Sequence, residues 1–306
     1  MTKKELSSWR KNQTKLRIRE FVAAVTEKGS PFYVTPDDRI AVFDNDGTLW
    51  SERPVVQGAF TFDRIRALAP EHPEWATTQP YQAVLENDME TVAAFGHKEL
   101  GEMIMATHAG LTTEEFAAIV RDWVFSARHP ATGELYIDMV YQPMLELLRF
   151  LRKKKFVTYI VSGGEIEFMR AFAEEVYGIP PQQVIGSSIE TVFELCDEGP
   201  VLVRLPVLDF VDDGPGKAVA VNRYIGRRPL LAFGNSDGDQ QMLEWTAAGD
   251  GLRFMGLVHH TDAEREWAYD EGERLETALV EARERNWVVV DMKNDWKVVH
   301  KCATEA

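Results

Sequence analysis

Short apolar runs alternate with helical patterns along most of the chain, and this alternation predicts a sheet flanked by helices. Each run has the length and the turn-rich boundaries that are typical of a buried parallel strand. The predicted strands are residues 40–43, 156–161, 184–186, 230–233, 252–258 and 287–290. The predicted helices are residues 14–28, 142–151, 165–177, 218–225 and 240–245. Strand, helix and strand in succession indicate an α/β fold, with a doubly wound, Rossmann-like parallel sheet as its core.

Two stretches depart from this alternation. Residues 55–140 show little strand signal but carry helical patterns, so we predict a mostly helical insert after the first strand. The predicted insert helices are residues 81–95, 100–107 and 111–125. Residues 191–205 form two short apolar runs around a polar Gly-Pro turn, which predicts a hairpin. The predicted division is therefore an α/β core of residues 1–54 and 141–306 and a helical domain of residues 55–140.

The first strand ends at two carboxylates, Asp44 and Asp46, which are followed at once by Gly47 and Thr48. Ligands in open α/β sheets bind outside the carboxyl ends of the strands. Two carboxylates this close repel each other, and a divalent cation with oxygen ligands relieves the repulsion. A simple turn explains this stretch equally well on its own, because Asp, Asn and Gly dominate turns.

Further polar clusters follow the other predicted strands and favour a functional site. Residues 156–161 lead into Ser162-Gly163-Gly164, residues 230–233 lead into 234–239, and Lys217 begins a helix. Chance can supply one such cluster, but four in the order that a site at the strand ends requires form a specific signal. Together they predict a site for a phosphate group.

Hydrolysis of a phosphate monoester needs charge neutralisation, an in-line nucleophile and a proton donor. The carboxylate of Asp44 can attack phosphorus and form an aspartyl-phosphate, which divides one difficult step into two. Asp46 can protonate the leaving oxygen and then deprotonate the attacking water. These residue types therefore suit a two-step hydrolysis.

The remaining clusters supply groups that hold a phosphoryl group and a metal ion. The Ser162 hydroxyl and the amides of Gly163 and Gly164 can bind phosphoryl oxygens at a helix N-terminus. Lys217 places a positive charge against the phosphate. Oxygen atoms from residues 235–239 can complete an octahedral Mg²⁺ site.

These motifs resemble motifs I to IV of the haloacid dehalogenase superfamily. The matching residues are Asp44-Asn-Asp-Gly-Thr48, Ser162-Gly-Gly164, Lys217 and Gly234-Asn-Ser-Asp-Gly-Asp239. The insert resembles the C1 cap of that superfamily, and the motif II region with its helix and hairpin is most similar to the phosphoserine-phosphatase-like branch. Dehalogenases of the superfamily lack the second aspartate, so Asp46 speaks against cleavage of a carbon–halogen bond.

The resemblance implies a role for each matched residue. It makes Asp44 the nucleophile, Asp46 the general acid and base, and Ser162 and Lys217 phosphate contacts. It implies that Mg²⁺ is held by the Asp44 carboxylate, the Asp46 main-chain carbonyl and the first motif IV residue. That residue is Asn235, where phosphoserine phosphatases usually carry an acid, so Asp239 is an equal candidate for the metal. Gly47, Gly163 and Gly164 fall in the substrate-binding loops.

Other residues allow two interpretations. Glu52 and Arg53 follow motif I, where caps of this branch present groups that read the substrate, but a surface ion pair explains them equally well. His259 and His260 end a predicted strand, and we expect at least one of them to make ordinary polar contacts.

Composition limits the partners and the location. The formal charge of −15 on 306 residues argues against a nucleic acid or an anionic membrane as partner. The beginning of the sequence lacks the apolar region of a signal peptide, and no stretch has the length of a membrane span, so we predict a cytoplasmic protein. Cys196 and Cys302 signal neither a disulfide framework nor a cysteine metal site.

The sequence therefore predicts Mg²⁺-dependent hydrolysis of a small phosphate monoester through an aspartyl-phosphate. A phosphotransferase or phosphomutase would use the same four motifs. A non-catalytic phosphate-binding protein is a further alternative, which the neutral Asn235 motivates.

Overall fold

The computed structural model describes residues 5–197, 199–269 and 274–300, and a seven-stranded sheet lies at its centre. The strand order is β4-β3-β2-β1-β5-β6-β7, and all neighbours are parallel except β3 and β4. The strands are β1 (Ile40–Phe43), β2 (Val157–Glu165), β3 (Val184–Cys196), β4 (Gly199–Phe210), β5 (Leu231–Gly234), β6 (Phe254–His259) and β7 (Val288–Asp291). This arrangement confirms the predicted doubly wound α/β fold.

Helices cover both faces of this sheet and fill the segment between β1 and β2. Those before β2 are α1 (Gln13–Thr26), α2 (Val56–Leu68), α3 (Tyr81–Glu86), α4 (Met89–Ala93), α5 (His97–His108), α6 (Thr113–Val124) and α7 (Gln142–Lys153). Those after β2 are α8 (Ile166–Arg170), α9 (Ala173–Tyr177), α10 (Pro215–Ala220), α11 (Gln240–Ala247), α12 (Thr277–Glu284) and α13 (Met292–Asp295).

Alternate residues of the central strand face two separate cores. Phe43 belongs to the larger hydrophobic cluster, which also contains residues of α1, α7 and α8. Val42 belongs to the cluster on the other face, with residues of α10, α11 and α12. Strand β1 lies between β2 and β5, where the chain reverses its direction of travel across the sheet. The ends of β1, β2 and β5 therefore form the crevice in which doubly wound proteins bind ligands.

The segment between β1 and α7 is helical and packs against the core. The inner faces of α2 and α6, through Phe60 and Phe116, belong to the same hydrophobic cluster as Phe168 of α8. A smaller outer cluster, which includes Trp75 and Tyr81, lies within the helical segment itself. The inner helices are thus continuous with the core.

The β3–β4 hairpin also contacts the helical segment. The Gly110 amide donates to the Arg204 carbonyl at 2.8 Å, and the Arg204 amide donates to the Leu111 carbonyl at 2.9 Å. The Arg204 guanidinium is buried, donates to the His108 carbonyl at 2.8 Å, and lies 3.9 Å from the ring centroid of Phe116. Strand β4 therefore joins the sheet to the connection between α5 and α6.

The two ends of the described chain lie side by side. Trp9 forms a β-bridge with Trp296, and Tyr141 forms another with His300. The Lys297 amide donates to the Ser8 carbonyl at 2.8 Å. The N-terminal and C-terminal segments thus close against the start of α7.

Several elements differ from their sequence predictions. Helix α2 had no predicted counterpart. The predicted helix 81–95 is interrupted at Asn87, which has a left-handed φ of 56°, and the predicted helix 165–177 is interrupted around Phe172, which is buried in the core. Strand β3 continues from the sheet into the hairpin, so both hairpin strands are longer than predicted.

Two further expectations concern membranes and cysteines. No helix in the described part of the chain is long and apolar enough to cross a membrane. Cys196 is an exposed free thiol, and Cys302 lies outside the described residues.

Candidate active site

Asp44 directly follows β1, and its backbone is anchored between two strands. Its amide donates to the Phe233 carbonyl of β5 at 2.9 Å. The following loop turns sharply because Gly47 has a φ of +78°, and a Cβ at Gly47 would lie 2.2 Å from Asn235 Nδ2. Glycine is therefore required at this position for conformation and for space.

Lys217 joins two carboxylates in the crevice. Its Nζ lies 2.6 Å from Asp44 Oδ1 and 2.5 Å from Asp239 Oδ1, and all three side chains are buried. Burial by itself would lower the pKa of Lys217, but Asp239 and Asp44 raise it above the usual value. The lysine is therefore charged at neutral pH and fixes one oxygen of Asp44.

Asp239 and Asp237 both organise the motif IV loop. Asp239 Oδ2 accepts hydrogen bonds from the Asn235 amide at 2.9 Å and the Ser236 amide at 3.0 Å. Asp237 accepts from the amides of Thr277 and Ala278 at the start of α12, at 3.0 and 2.7 Å. Both oxygens of Asp239 are thus engaged by protein donors, and Asp237 stabilises the N-terminus of a helix.

The Asn235 side chain lies beside the two acids of motif I. Its Oδ1 accepts from the Thr48 hydroxyl at 2.9 Å, and its Nδ2 donates to the Tyr269 hydroxyl at 2.9 Å. The Oδ1 position is also 2.9 Å from the Asp46 carbonyl oxygen and 3.1 Å from Asp44 Oδ2. The amide rotated by 180° would instead donate to these oxygens.

With Oδ1 inward, these separations suit a magnesium ion. Ligands on adjacent corners of an octahedron lie about 2.9–3.0 Å apart when each is about 2.0–2.1 Å from the metal. The set consists of one carboxylate, one amide and one main-chain carbonyl. No cluster of three or more His, Cys, Asp or Glu side chains suited to a metal occurs among residues 5–197, 199–269 and 274–300.

Electrostatics also favour a cation here. Burial and the neighbouring Asp239 raise the pKa of Asp44, and Lys217 opposes this rise. Burial likewise raises the pKa of Asp46, whose Oδ1 accepts a hydrogen bond from Trp50 Nε1 at 2.9 Å. Three carboxylates around one lysine would carry excess negative charge in their ionised forms, which a divalent cation would offset.

Motif II lies at the end of β2, beside the end of β1. Ser162 is buried, and its Oγ accepts from the Gly164 amide at 3.2 Å. The Gly163 carbonyl accepts from the Ser187 hydroxyl at 2.8 Å. A Cβ at Gly164 would lie 2.3 Å from Nε2 of Gln57, the second residue of α2, so this glycine allows the helical segment to approach.

Two further buried groups lie beside the motifs. Asp212 was not singled out from the sequence, whereas His260 is one of the two histidines of which we expected at least one to make ordinary polar contacts. Asp212 is fully buried, neither of its carboxylate oxygens has a hydrogen-bond partner in the described part of the chain, and burial raises its pKa to about 7. Burial lowers the pKa of His260 to about 4, so its neutral ring donates from Nε2 to the Gly47 carbonyl at 2.7 Å. His260 therefore supports the motif I loop.

Glu52 and Arg53 line a cavity of about 890 Å³ next to this crevice. Glu52 is buried, and its Oε2 lies 3.5 Å from Arg274 Nη1, so it is not a surface group. The Arg53 guanidinium lies over the ring of Trp267, 5.3 Å from its centroid. Tyr269 links the cavity to the crevice, because its hydroxyl accepts a hydrogen bond from Asn235 and the nearby charge of Glu52 helps to raise its pKa.

Comparison with known proteins places these motifs in a family context. Residues 41–244 match the sequence model of the haloacid dehalogenase-like hydrolases. The structure is similar to that of a conserved protein of unknown function from Anaerococcus prevotii, with a TM-score of 0.57, 19% identity and 90% of each chain covered.

Two other solved structures are more distant. A protein of unknown function from Bordetella pertussis has a TM-score of 0.49 and 18% identity over 83% of this chain and 98% of that chain. A phosphoserine phosphohydrolase-like protein from Francisella tularensis has a TM-score of 0.37 and 16% identity, over 82% and 94% of the two chains. No curated protein sequence matches the chain.

The similarity to the Anaerococcus protein supports the fold alone. The family match covers about two-thirds of the chain and contains all four motifs, from Asp44 to Asp239. It confirms the resemblance drawn from those motifs. The chain is therefore a member of the haloacid dehalogenase-like hydrolase family.

Proposed function

We propose that the protein is a Mg²⁺-dependent phosphatase that hydrolyses a small phosphate monoester through an aspartyl-phosphate on Asp44. One observation carries the proposal: Lys217 holds Asp44 Oδ1 at 2.6 Å, and Asp44 Oδ2 lies 3.1 Å from the inward atom of Asn235. Lys217 thus fixes one oxygen of the carboxylate, and the other oxygen lies beside a cluster of oxygen ligands.

The metal ligands that we propose are Asp44, the main-chain carbonyl of Asp46 and Asn235. Bound there, Mg²⁺ would neutralise phosphate oxygens and orient the substrate. Asp239, with both oxygens bonded to protein donors, holds Lys217 and the motif IV loop.

Side chains and backbone groups of the protein carry out the remaining steps of the reaction. Asp44 attacks phosphorus, the bond to the leaving oxygen breaks, and Asp46 donates a proton to that oxygen. Asp46 then takes a proton from the water that attacks the aspartyl-phosphate, which releases phosphate and restores Asp44. Ser162, the backbone of Gly163 and Gly164, and Lys217 bind phosphoryl oxygens throughout.

Residues 55–140 act as a cap over this crevice, and residues 1–54 and 141–306 act as the catalytic core. A contact between Gln57 and the end of motif II supports this division. The amide of Glu165, the residue after Gly164, donates to Gln57 Oε1 at 2.9 Å. The start of the helical segment thus contacts the edge of the phosphate site.

The test is hydrolysis of 4-nitrophenyl phosphate by the wild type, Asp44→Asn and a control, Asp122→Asn, which alters an exposed aspartate of α6. We expect wild-type turnover that needs Mg²⁺ and stops with chelator, a loss of at least about 1,000-fold in Asp44→Asn, and unchanged activity in Asp122→Asn. Equal turnover by Asp44→Asn, or full activity with chelator, would refute the mechanism.

Phosphoryl transfer to an alcohol is the second candidate. The burial of Asp44, Ser162 and Lys217 favours it, because an enclosed aspartyl-phosphate meets little water. Glycerol added to the same assay distinguishes the two: a transferase forms glycerol phosphate in place of inorganic phosphate, whereas a phosphatase releases inorganic phosphate.

A further inference from the structure

The cavity beside the crevice is built from three parts of the chain that are distant in sequence. Glu52 and Arg53 come from the segment after β1, His129 from the end of the helical segment, and Trp267 and Arg274 from the segment after β6. His129 fixes one wall, because its Nδ1 accepts from the Ala131 and Thr132 amides, so its Nε2–H donates to the Arg53 carbonyl at 2.8 Å.

The cavity is directly adjacent to the motif I acids. A Cβ on Gly47, the residue after Asp46, would lie 3.0 Å from the Glu52 carboxyl carbon. Tyr269 lies between Glu52 and Asn235, because its hydroxyl accepts from Asn235 Nδ2 at 2.9 Å and the charge of Glu52 acts on it. This cavity is therefore the space beside Glu52 that adjoins a phosphate ester bound at Asp44.

The charges of the lining differ from those of the whole protein. Among the lining residues that the structure describes, Arg53 and Arg274 carry positive charge and Glu52 carries negative charge, whereas the chain as a whole has a formal charge of −15. Arg274 approaches Glu52 no closer than 3.5 Å, and its side chain is 55% exposed. A guanidinium has five N–H donors, so this long contact leaves donors for a ligand.

Apart from His129, the remaining described lining is apolar, and the cavity is wide. Trp267 is 53% exposed although it lies in the cavity wall, and proline, valine and alanine complete the surface. A volume of about 890 Å³ lies near the upper end of the range of about 300–1,000 Å³ for sites that hold drug-sized ligands. A three-carbon alcohol would leave most of this space unfilled.

We propose that this cavity binds the alcohol part of the substrate, and that this part carries a ring or a similar apolar body and a second anionic group. Arg274 binds the anion, and Trp267 packs against the apolar body. Arg274 and Trp267 are thus specificity-determining residues that lie outside the four motifs and outside the helical insert. This inference rests on the proposed phosphatase function.

Three alkyl phosphates distinguish the contribution of the anionic group from that of the ring. They are 4-carboxybenzyl phosphate, its neutral isostere 4-carbamoylbenzyl phosphate, and ethyl phosphate, which lacks the ring. For the wild type with Mg²⁺ we expect kcat/KM for the carboxylate to exceed that for the amide by about 10-fold or more, because a charge-assisted hydrogen bond is lost in the amide. We expect both benzyl esters to exceed ethyl phosphate.

Arg274→Gln should reduce the preference for carboxylate over amide by at least about 5-fold. Arg227→Gln is the matched control, because Arg227 is 57% exposed and also pairs with a carboxylate, that of Asp38, and lies next to the segment that precedes β1. It should leave the preference unchanged. Trp267→Leu should reduce the preference for the benzyl esters over ethyl phosphate.

The outcomes separate the two proposals. If Asp44-dependent hydrolysis occurs but the wild type does not distinguish carboxylate from amide, or Arg274→Gln keeps the wild-type preference, the phosphatase stands and the cavity assignment is wrong. If Trp267→Leu keeps the ring preference, the role of Trp267 is wrong. If the wild type and Asp44→Asn are equally inactive or equally active on all three esters, the proposed function and the cavity assignment both fall.

Discussion

Asn235 shows at the scale of one residue how a motif position adapts to its surroundings. Its Nδ2 donates to the Tyr269 hydroxyl, and that hydroxyl lies close to the buried Glu52. One Tyr proton can serve only one carboxylate. An aspartate at position 235 would compete with Glu52 for it, so the amide is the compatible choice beside a buried glutamate.

We predict that Asn235→Asp lowers the Mg²⁺ concentration for half-maximal activity by about 10-fold, because a charged ligand attracts the cation more strongly. Mg²⁺ titrations of activity with 4-nitrophenyl phosphate measure this. The double variant Asn235→Asp/Glu52→Gln should bind Mg²⁺ as tightly as Asn235→Asp or more tightly, because the competing carboxylate is gone. An unchanged or higher Mg²⁺ requirement in Asn235→Asp would contradict the proposed metal site.

Asp212 gives a prediction for pH-dependent stability. Burial raises its pKa from the usual 3.8 to about 7 in the folded state, so the folded protein binds this proton more tightly than the unfolded chain. The Asp212 carboxylate therefore does not lower the free energy of unfolding below about pH 4. Its destabilising effect grows as the pH rises to about 7 and then stays constant.

Asp212→Asn removes the charge and should raise the Tm at pH 8 by at least about 2 °C, with a smaller gain at pH 5. Thermal unfolding monitored by circular dichroism at both pH values measures the difference. The same gain at both values would show that the carboxylate of Asp212 does not titrate between them.

At the scale of elements, one buried arginine of the β3–β4 hairpin contacts both the phosphate loop, through an ion pair with Glu165, and the helical segment, through the His108 carbonyl. Arg204 Nη1 lies 3.2 Å from Glu165 Oε1, and Glu165 Oε2 accepts from the Phe168 amide at the start of α8. Glu165 directly follows motif II. The hairpin, the phosphate loop and the helical segment therefore meet at this arginine.

We predict that Arg204→Met lowers the free energy of unfolding by about 3–5 kcal/mol, because it leaves Glu165 buried without its partner. The double variant Arg204→Met/Glu165→Gln should recover much of this loss, since the Gln oxygen can still accept from the Phe168 amide. Urea unfolding measures both.

Arg121→Gln serves as the control for this series. Arg121 pairs with Glu175 on the surface, and exposed pairs of this kind contribute less than about 1 kcal/mol. If the Arg204 and Arg121 variants lost similar stability, the buried pair would not be the link that we infer.

The sequence predicts elements well where periodicity and strong end signals coincide. Helix α6 lies within the predicted helix 111–125 and has such a signal at its start, because the Thr112 side chain accepts from the Glu115 amide. Strand β1 was predicted with the bounds that it has, because an apolar run meets a polar cluster abruptly. The break at Asn87 was missed, because a single residue in the left-handed region leaves little trace in a helical pattern.

The residues of the candidate site also include some that the sequence predicted and some that it missed. Asp44, Lys217 and Asp239 were singled out from the ends of strands and the head of a helix, and the fold brings them into contact. Tyr269 and Arg274 were not, because they lie in an irregular segment after β6 whose path the sequence pattern does not specify. Their proximity to Glu52 depends on tertiary folding alone.

At the scale of the whole molecule, the helical segment and the sheet share a hydrophobic core. Phe60 of α2 contacts Phe116 of α6 and Phe168 of α8, with ring centroids 6.0 and 5.2 Å away. Residues of α1, α7 and β1 belong to the same cluster. The inner half of the proposed cap therefore folds as part of the core.

We predict that Phe60→Ala destabilises both parts together, by about 3–5 kcal/mol, because the cavity that it creates borders helices of both. Hydrogen exchange measured by mass spectrometry should become faster in peptides from α6 and from α8. Val280→Ala, at an exposed position of α12, should leave both unchanged. Faster exchange in α6 alone would show a separable cap.

The pairing of the two chain ends has a consequence for biosynthesis. Residues near Trp9 leave the ribosome long before their β-bridge partner, Trp296, is made. Until then Trp9 lacks its edge-to-face contact with the Trp296 ring, and contacts so distant in sequence are slow to form. A nascent chain of this protein must therefore remain incompletely closed until Trp296 has left the ribosome.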